Sequence, residues 1–554
     1  MPSYQFRDLL AEIEQGRYAV PEIQRPYVWR NSQVKELFES IYRQFPIGSI
    51  IMWEPAREVF EKYEDLFRPL SGELEDKKRN FKYVVIDGQQ RLLSLLLVKR
   101  GRITVVDALG HQQVRMINLY YNADNDEFFY DRARREYEKD PYVYRVSDIL
   151  DYIGHEDVEE LVEAKGLGES TQKKEISKRL KRVRDAILNY PINIYLIPES
   201  ALKYRSEGDE DNFLEIFEKM SQMFVRLNYT GTRVKMPHLM MALLTGKMRK
   251  ELGISFGEKL SEVVSQLEEI GWDIGESTLM RTYLAISTGE TKFNEGRKRL
   301  NELSARKIED YLEKFRKSLE YTIKEVLILE LNIKKPEFLK SEYAIVPITY
   351  YAYIKNNALT PSEVKSVARW LILASFNRRY TGRLESDLFE DIRALATSKD
   401  INTLVKNLQT TQVQKEWLDK PMDKEHLTML SILLRDSYDL MKGVTVKLKN
   451  VDSENIHIHH IFPKKQIEMY YKEYIEDIEA AYDHMANITL ISDKANESIK
   501  DKRPDEYLSE IDPEILKSHM IPLNEELWKL ENYPKFLEER KKLIMKRVSE
   551  LFKS

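Results

Sequence analysis

Apolar residues fall along this chain in two different rhythms. Through about residue 210, short β-rich runs alternate with helical stretches. Gly48-Ser-Ile-Ile-Met-Trp53, Tyr83-Val-Val-Ile86 and Ile192-Asn-Ile-Tyr-Leu-Ile197 predict strands, and Val34–Arg43 and Leu92–Lys99 predict helices. Lys77–Asn80 and Gly166–Thr171 read as exposed loops. From about 211 to 425 a helical period takes over. Phe213, Leu214, Ile216, Phe217 and Met220, and again Ile308, Tyr311, Leu312, Phe315 and Leu319, each share one helical face, which predicts a bundle or connector. At Val444–Asp452 the pattern changes to alternating Val and Lys, and a new segment opens. The tail, Pro534–Lys553, sets Phe536, Leu537, Leu543, Ile544, Val548 and Leu551 among basic residues, the mark of an amphipathic helix. No internal repeat or low-complexity tract interrupts this order. The expectation is a mixed α/β, mostly helical protein in three domains, 1–210, 211–425 and 426–554.

Composition narrows the chemistry. A chain of 554 residues exceeds one ordinary domain, and 42% apolar with 32% charged residues fits a folded, helix-rich protein. With no cysteine, disulfides, thiolate zinc sites and thiol nucleophiles are excluded, and a metal must be held by His, Asn or carboxylates. No apolar run approaches the roughly 20 residues that span a bilayer. The first residues, Met-Pro-Ser-Tyr-Gln-Phe-Arg-Asp, carry charge where a signal peptide needs an apolar stretch. A cytoplasmic location without a membrane partner is expected. A net charge of −5 means that nucleic acid, if bound, must be held through local basic patches. The run Lys173, Lys174, Lys178, Arg179, Lys181, Arg182, Arg184 is one such patch or simply a solvated helix face.

Four of the nine histidines, at 457, 459, 460 and 484, fall in one short C-terminal region. Asn455-Ile-His-Ile-His-His-Ile-Phe-Pro-Lys464 reads as a strand stopped by Pro463. After a helical insert, Met485-Ala-Asn-Ile-Thr-Leu-Ile491 reads as a second strand, and Ser492-Asp-Lys-Ala-Asn-Glu-Ser-Ile-Lys500 enters a helix. A ββα arrangement of this kind brings His459, His460 and Asn496 toward one cleft. Phosphodiester hydrolysis needs a base near neutral pH, which imidazole supplies, and a divalent cation to neutralise developing charge. It also needs a group that holds the imidazole in orientation, and a buried amide can do so through the backbone.

Residues 455–507 resemble the HNH, or ββα-metal, nucleases, in the branch whose first motif reads His-His-Ile-Phe-Pro. The resemblance implies His460 as general base, Asn487 as the asparagine bracing the hairpin, and His459 and Asn496 as metal ligands. Lys500, Lys502 and Arg503 would contact nucleic-acid phosphates. Many members carry aspartate where His459 stands, which leaves the identity of the metal open; His457, two residues earlier and so on the same strand face, stays open as an alternative ligand. Mg²⁺, Mn²⁺ or a softer first-row ion would suit these neutral donors.

In the N-terminal region, Asp87-Gly-Gln-Gln-Arg91 joins a buried strand to a helix. Such a joint aims free N–H groups at one spot, Gly88 permits close approach, and Arg91 offers a fork for phosphate. Val20-Pro-Glu-Ile-Gln-Arg-Pro-Tyr-Val-Trp29 and Phe224-Val-Arg-Leu-Asn-Tyr-Thr-Gly231 add further polar clusters; Tyr27 and Trp29 would line a base pocket or the core. Together these segments resemble the DGQQR-motif family, a ParB/sulfiredoxin-like domain of bacterial anti-phage and modification-dependent restriction proteins. The stretches Phe-Asn-Arg-Arg-Tyr380 and Phe536-Leu-Glu-Glu-Arg540 fit it too. Followed by an HNH module, the whole resembles GmrSD-type restriction endonucleases and SspE-type sensors. That implies a nucleoside triphosphate pocket made by Gln24, Arg25, Asp87, Gly88, Gln89, Gln90, Arg91, Arg226 and Asn228. No Walker-type phosphate loop is present, so hydrolysis would use a different pocket.

The resemblance therefore implies a nucleotide-regulated DNA endonuclease of anti-phage defence, cutting modified or foreign DNA, possible as a homodimer. Two alternatives stand beside it: a nucleotide-switched DNA-binding regulator with an inactive HNH fold, and an NTPase whose HNH unit only docks.

Overall fold

The computed structural model describes residues 3–21, 27–62, 67–72, 80–106, 112–130, 140–151, 157–166, 170–197, 236–443, 446–473, 475 and 477–553. They gather into two compact units, Met1–Ser261 and Glu262–Ser554. The architecture is mixed α/β, with an α/β N-terminal region and a helical C-terminal part.

The first unit is built on strands β1 (Ser3–Gln5), β2 (Tyr18–Pro21), β3 (Ile50–Trp53), β4 (Phe67–Pro69) and β5 (Tyr83–Asp87). Next come β6 (Arg102–Val106), β7 (Gln112–Met116), β8 (Leu119–Asn122), β9 (Glu127–Tyr130), β10 (Val143–Arg145) and β11 (Pro191–Ile197). The main sheet has six strands in the order β1-β11-β3-β5-β2-β4. β5 lies inside it, parallel to β2 and antiparallel to β3, with a register shift at Ile51/Met52. Its residues Tyr83, Val84, Val85 and Ile86 are all buried, as a run of β-branched and aromatic side chains requires of an interior strand. Helices Phe6–Glu14, Asn31–Tyr42, Gln89–Arg100 and Ser170–Leu188 contribute Leu9, Phe38, Leu95 and Val183 to the same core. The three strands read from sequence are β3, β5 and β11. The β6–β7 hairpin and the small sheet β10-β8-β9 were not read; β7 has no buried side chain among those described, so it leaves no alternating signal.

Of the basic run on Ser170–Leu188, Arg179 pairs with Glu175, Lys181 with Glu159 and Arg184 with Asp185. The apolar run at 213–220 and loop residues 77–79 and 167–169 lie outside the described residues.

In the second unit, Glu276–Thr288, Ala305–Tyr321, Ile345–Ile354, Pro361–Phe376, Leu384–Ser398 and Lys424–Leu433 are the principal helices before residue 444. Ile308, Leu312, Phe315 and Leu319 are buried on one face of Ala305–Tyr321, the stripe expected from their spacing. Thr360 and Glu363 form a reciprocal cap at the start of Pro361–Phe376. After two short 3₁₀ turns come β12 (Ile456–His460) and β13 (Ile488–Ser492), then helix Asp493–Ile499. The tail helix, Tyr533–Phe552, buries Phe536, Ile544 and Val548, while Leu537, Leu543 and Leu551 are partly covered.

Candidate active site

The ββα segment is held by its own sequence. β12 and β13 are antiparallel, with His459 opposite Thr489 and His460 opposite Ile488. Ser492 ends β13 and caps the following helix, its Oγ accepting from Ala495 N at 3.2 Å. Buried Asp439 in turn accepts from Ser492 N at 3.0 Å and bonds its hydroxyl. This double cap fixes where the helix starts, and hence where Asn496 on its second turn points.

The Asn496 side chain faces His459 closely enough to favour its protonated form, against the larger effect of burial. The imidazole of His459 is only 6% exposed, and its Nε2 is buried without a partner. Burial pushes its pKa down to about 4, so the ring is neutral at physiological pH. A neutral ring nitrogen with no hydrogen bond, beside an amide, is a donor set that fits a divalent cation. Among the described residues, no three His, Asp or Glu side chains gather as a ligand group, so water and phosphate oxygens would have to complete such a shell. His457 is engaged elsewhere, its Nε2 against Asp493.

His460 Nε2 lies 2.7 Å from Asp483 Oδ1, and Lys464 Nζ approaches the same oxygen at 3.0 Å. A carboxylate can only accept, so Nε2 carries the hydrogen and Nδ1 is left as the basic nitrogen. Burial lowers the pKa of His460, with Asp483 opposing and Lys464 reinforcing the shift. Sequence reasoning missed Asp483. The available signal was its place in Tyr-Asp-His-Met-Ala-Asn487, one residue before a histidine already noted.

Asn487 is fully buried and ties the segment together. Its Oδ1 accepts from Phe462 N at 2.8 Å; its Nδ2 donates to Phe462 O at 3.0 Å and to Tyr482 O at 2.9 Å. It thus joins the residues after His460 to the residue before Asp483. Arg540, also fully buried, donates to Ala486 O and Ile488 O, each at 2.8 Å, which fixes the start of β13 from behind. Behind His459, His519 Nε2–H donates to Tyr438 O at 2.6 Å and Nδ1 meets the Thr489 hydroxyl at 2.7 Å. Burial likewise pushes the pKa values of His519 and His484 down to about 4.

Lys500 follows the Asn496 helix with φ 48° and ψ −127°, a conformation that glycine favours, and its side chain is exposed. Lys502 is exposed too, whereas Arg503 is paired with Asp505.

In the first unit, Gly88 (φ 97°) caps helix Gln89–Arg100 directly after β5. Arg91 Nη2 is 2.9 Å from Asp87 Oδ2, and Nη1 donates to Ile47 O at 2.8 Å. A Cβ added at Gly48 would lie 2.7 Å from Arg91 Nη1, so glycine lets the guanidinium in. Gln90 accepts from Val28 N at 2.9 Å, and Gln89 is buried with Nε2 unpartnered. Tyr27 belongs to the core, its hydroxyl 2.7 Å from Ser94 Oγ, and Trp29 packs partly against that core. Asp87, Gly88, Gln89, Gln90 and Arg91 are therefore together at one strand end. Gln24, Arg25, Arg226 and Asn228 lie outside the described residues.

Residues 6–245 match the family described as the GmrSD restriction endonuclease, N-terminal domain, so the match supports a GmrSD-type N-terminal region. The chain is also 22% identical, over 98% of its own length and 98% of the relative's, to an uncharacterized protein of Methanocaldococcus jannaschii. The family match takes in the main sheet apart from its edge strand β1, together with the Asp87–Arg91 loop, and stops before the ββα segment. No helix among the described residues is long and apolar enough to cross a membrane.

Proposed function

We propose that this protein is a metal-dependent DNA endonuclease of anti-phage restriction, cutting modified or foreign DNA under nucleotide control. The observation that carries the proposal is the neutral, buried His459 with its unpartnered Nε2 beside Asn496, next to a His460 held by Asp483. The GmrSD restriction endonuclease match supports the defence context and the DNA substrate.

His459 and Asn496 would hold the divalent cation, Mg²⁺ or Mn²⁺, which supplies neutralisation of charge on the phosphate and leaving oxygen. His460 Nδ1 accepts the proton of the attacking water. Asp483 keeps Nε2 protonated, orients the ring and stabilises the imidazolium that results. Water oxygen bonds to phosphorus as the P–O ester bond breaks. Asn487 holds both backbone segments that carry this pair, and Lys500 and Lys502 bind flanking phosphates.

In the first unit, the start of helix Gln89–Arg100 with Asp87, Gln89, Gln90 and Arg91 receives the phosphates of a nucleoside triphosphate. Gln24, Arg25, Arg226 and Asn228, outside the described residues, would bind the same nucleotide on this reading. The segments 1–210, 211–425 and 426–554 then act as sensor, connector and nuclease.

The test incubates plasmid and modified phage DNA with Mg²⁺ or Mn²⁺, with and without nucleoside triphosphates. Wild type is expected to cut at least one substrate in a nucleotide-dependent way, and His460→Ala to cut none. Equal absence of cutting by both proteins on every substrate would sink the endonuclease reading.

A further inference from the structure

Helix Pro361–Phe376 ends in a turn that the catalytic account leaves unused, within Phe376-Asn-Arg-Arg-Tyr-Thr-Gly-Arg383. Arg378 N donates to Ser375 O at 3.0 Å and Arg379 N to Ala374 O at 2.9 Å, the two bonds of a Schellman cap. That cap wants glycine at its left-handed residue, yet Arg378 stands there with φ 50°, and Tyr380, two residues on, has φ 73°. Left-handed backbone at a residue with a side chain is costly and persists only where its surroundings over-determine it.

Here they do. The side chain of Arg379 is 9% exposed and pairs with Asp391 at 3.0 Å and Asp387 at 3.3 Å. Tyr380 donates to Asp391 at 2.5 Å, and Asn407 donates to the same carboxylate at 2.8 Å. Asn377 clamps the neighbouring loop, exchanging two 2.8 Å bonds with the backbone of Thr410. All this buried polar structure leaves Arg378 exposed, with its guanidinium making no hydrogen bond or ion pair among the described residues. Held against the neighbouring Asn377 runs Gln409-Thr-Thr-Gln-Val-Gln414, uncharged throughout and polar at every position but Val413.

The same loop leads to the catalytic pair. Trp417 stacks on Phe376 with ring centroids 4.7 Å apart, and Met422 N donates to Asp483 O at 2.7 Å. The turn and His460 thus belong to one packed unit, joined by a continuous segment.

We infer that Arg378 and the Gln409–Gln414 loop form a contact site for the phosphate backbone of duplex DNA, distinct from the ββα site and rigidly tied to it. The inference rests on the reading that DNA is the substrate. A free, rigidly presented guanidinium suits a phosphate oxygen, and uncharged amides and hydroxyls can bond the backbone without repelling it.

The test measures binding of the full chain to a fluorescent duplex in EDTA, across a series of salt concentrations. Losing one phosphate contact should weaken binding about eightfold at 0.1 M salt and flatten the log–log salt slope by about 0.9. Arg378→Gly is expected to show both changes while its Tm rises by about 2 °C, because glycine relieves the left-handed strain. Arg378→Lys should keep the slope. Wild-type affinity and slope in Arg378→Gly would overturn the inference alone. So would weaker binding with an unchanged slope and a lower Tm, the signature of lost folding. A wild type that binds no duplex would overturn it together with the DNA-substrate reading.

Discussion

Replacing Asn487 by alanine removes one amide and strands three backbone groups. Phe462 N–H, Phe462 O and Tyr482 O lose bonds of 2.8, 3.0 and 2.9 Å inside a residue shell that is fully buried. Each unsatisfied buried group costs about 1–3 kcal/mol, and the lower half of that range gives roughly 3–6 kcal/mol in total. At about 2 °C per kcal/mol for a unit of this size, Tm should fall by about 6–12 °C. The amide also joins the two segments carrying His460 and Asp483, so cleavage measured well below the lowered Tm should drop with it. Thermal unfolding followed by circular dichroism, paired with a cleavage assay at 25 °C, reads both effects. Asn487→Asp sharpens the test. A carboxylate can accept from Phe462 N but cannot donate to two carbonyls, so its pKa rises in the folded state. The variant should be more stable at pH 5 than at pH 7.5 relative to wild type. An Asn487→Ala protein that melts with the wild type and cuts as fast would refute the bracing argument.

Other consequences follow from the same geometry. Asp483→Asn removes the charge that stabilises the His460 imidazolium and should lower kcat about 10²-fold with KM little changed; an unchanged kcat would exclude Asp483 from the mechanism. His459, His484 and His519 sit near pKa 4, below the ordinary 6.5, so each favours the fold while neutral. That stability is full above about pH 6.5 and is lost as pH falls toward 4, at most roughly 2 kcal/mol each by pH 5. Urea midpoints at pH 7.5 and pH 5 test it, and equal midpoints would contradict it. Gly48→Ala crowds Arg91 and should weaken nucleoside triphosphate binding about tenfold by calorimetry; wild-type affinity would remove Arg91 from the pocket.

The sequence was most legible where one physical constraint acts alone. The run Tyr83–Ile86 is buried on both faces and reads as a strand, and the stripe from Ile308 to Leu319 reads as a helix because a period of 3.6 was needed to bury it. The segment 455–500 was legible for another reason: histidines, an asparagine and a capping serine stand there in a fixed order. What stayed hidden depends on distant segments meeting. Asp483 reaches His460 across 23 positions, and Arg540 reaches β13 from the tail helix. A lone acid and a lone arginine carry no periodic signal. His519 was equally silent, since its partners Thr489 and Tyr438 lie 30 and 81 positions away. Strain at Arg378 and Lys500 is invisible in letters, because only the backbone angle shows that glycine was expected there.

The central claim is that His460 activates water for attack on a DNA phosphate beside a cation held by His459 and Asn496. Single-turnover cleavage of one duplex substrate in Mn²⁺, by wild type and by His460→Ala, addresses it most directly. The account predicts a loss of about 10²–10⁴ in rate with DNA binding and Tm retained. A His460→Ala protein that cuts at the wild-type rate would contradict it.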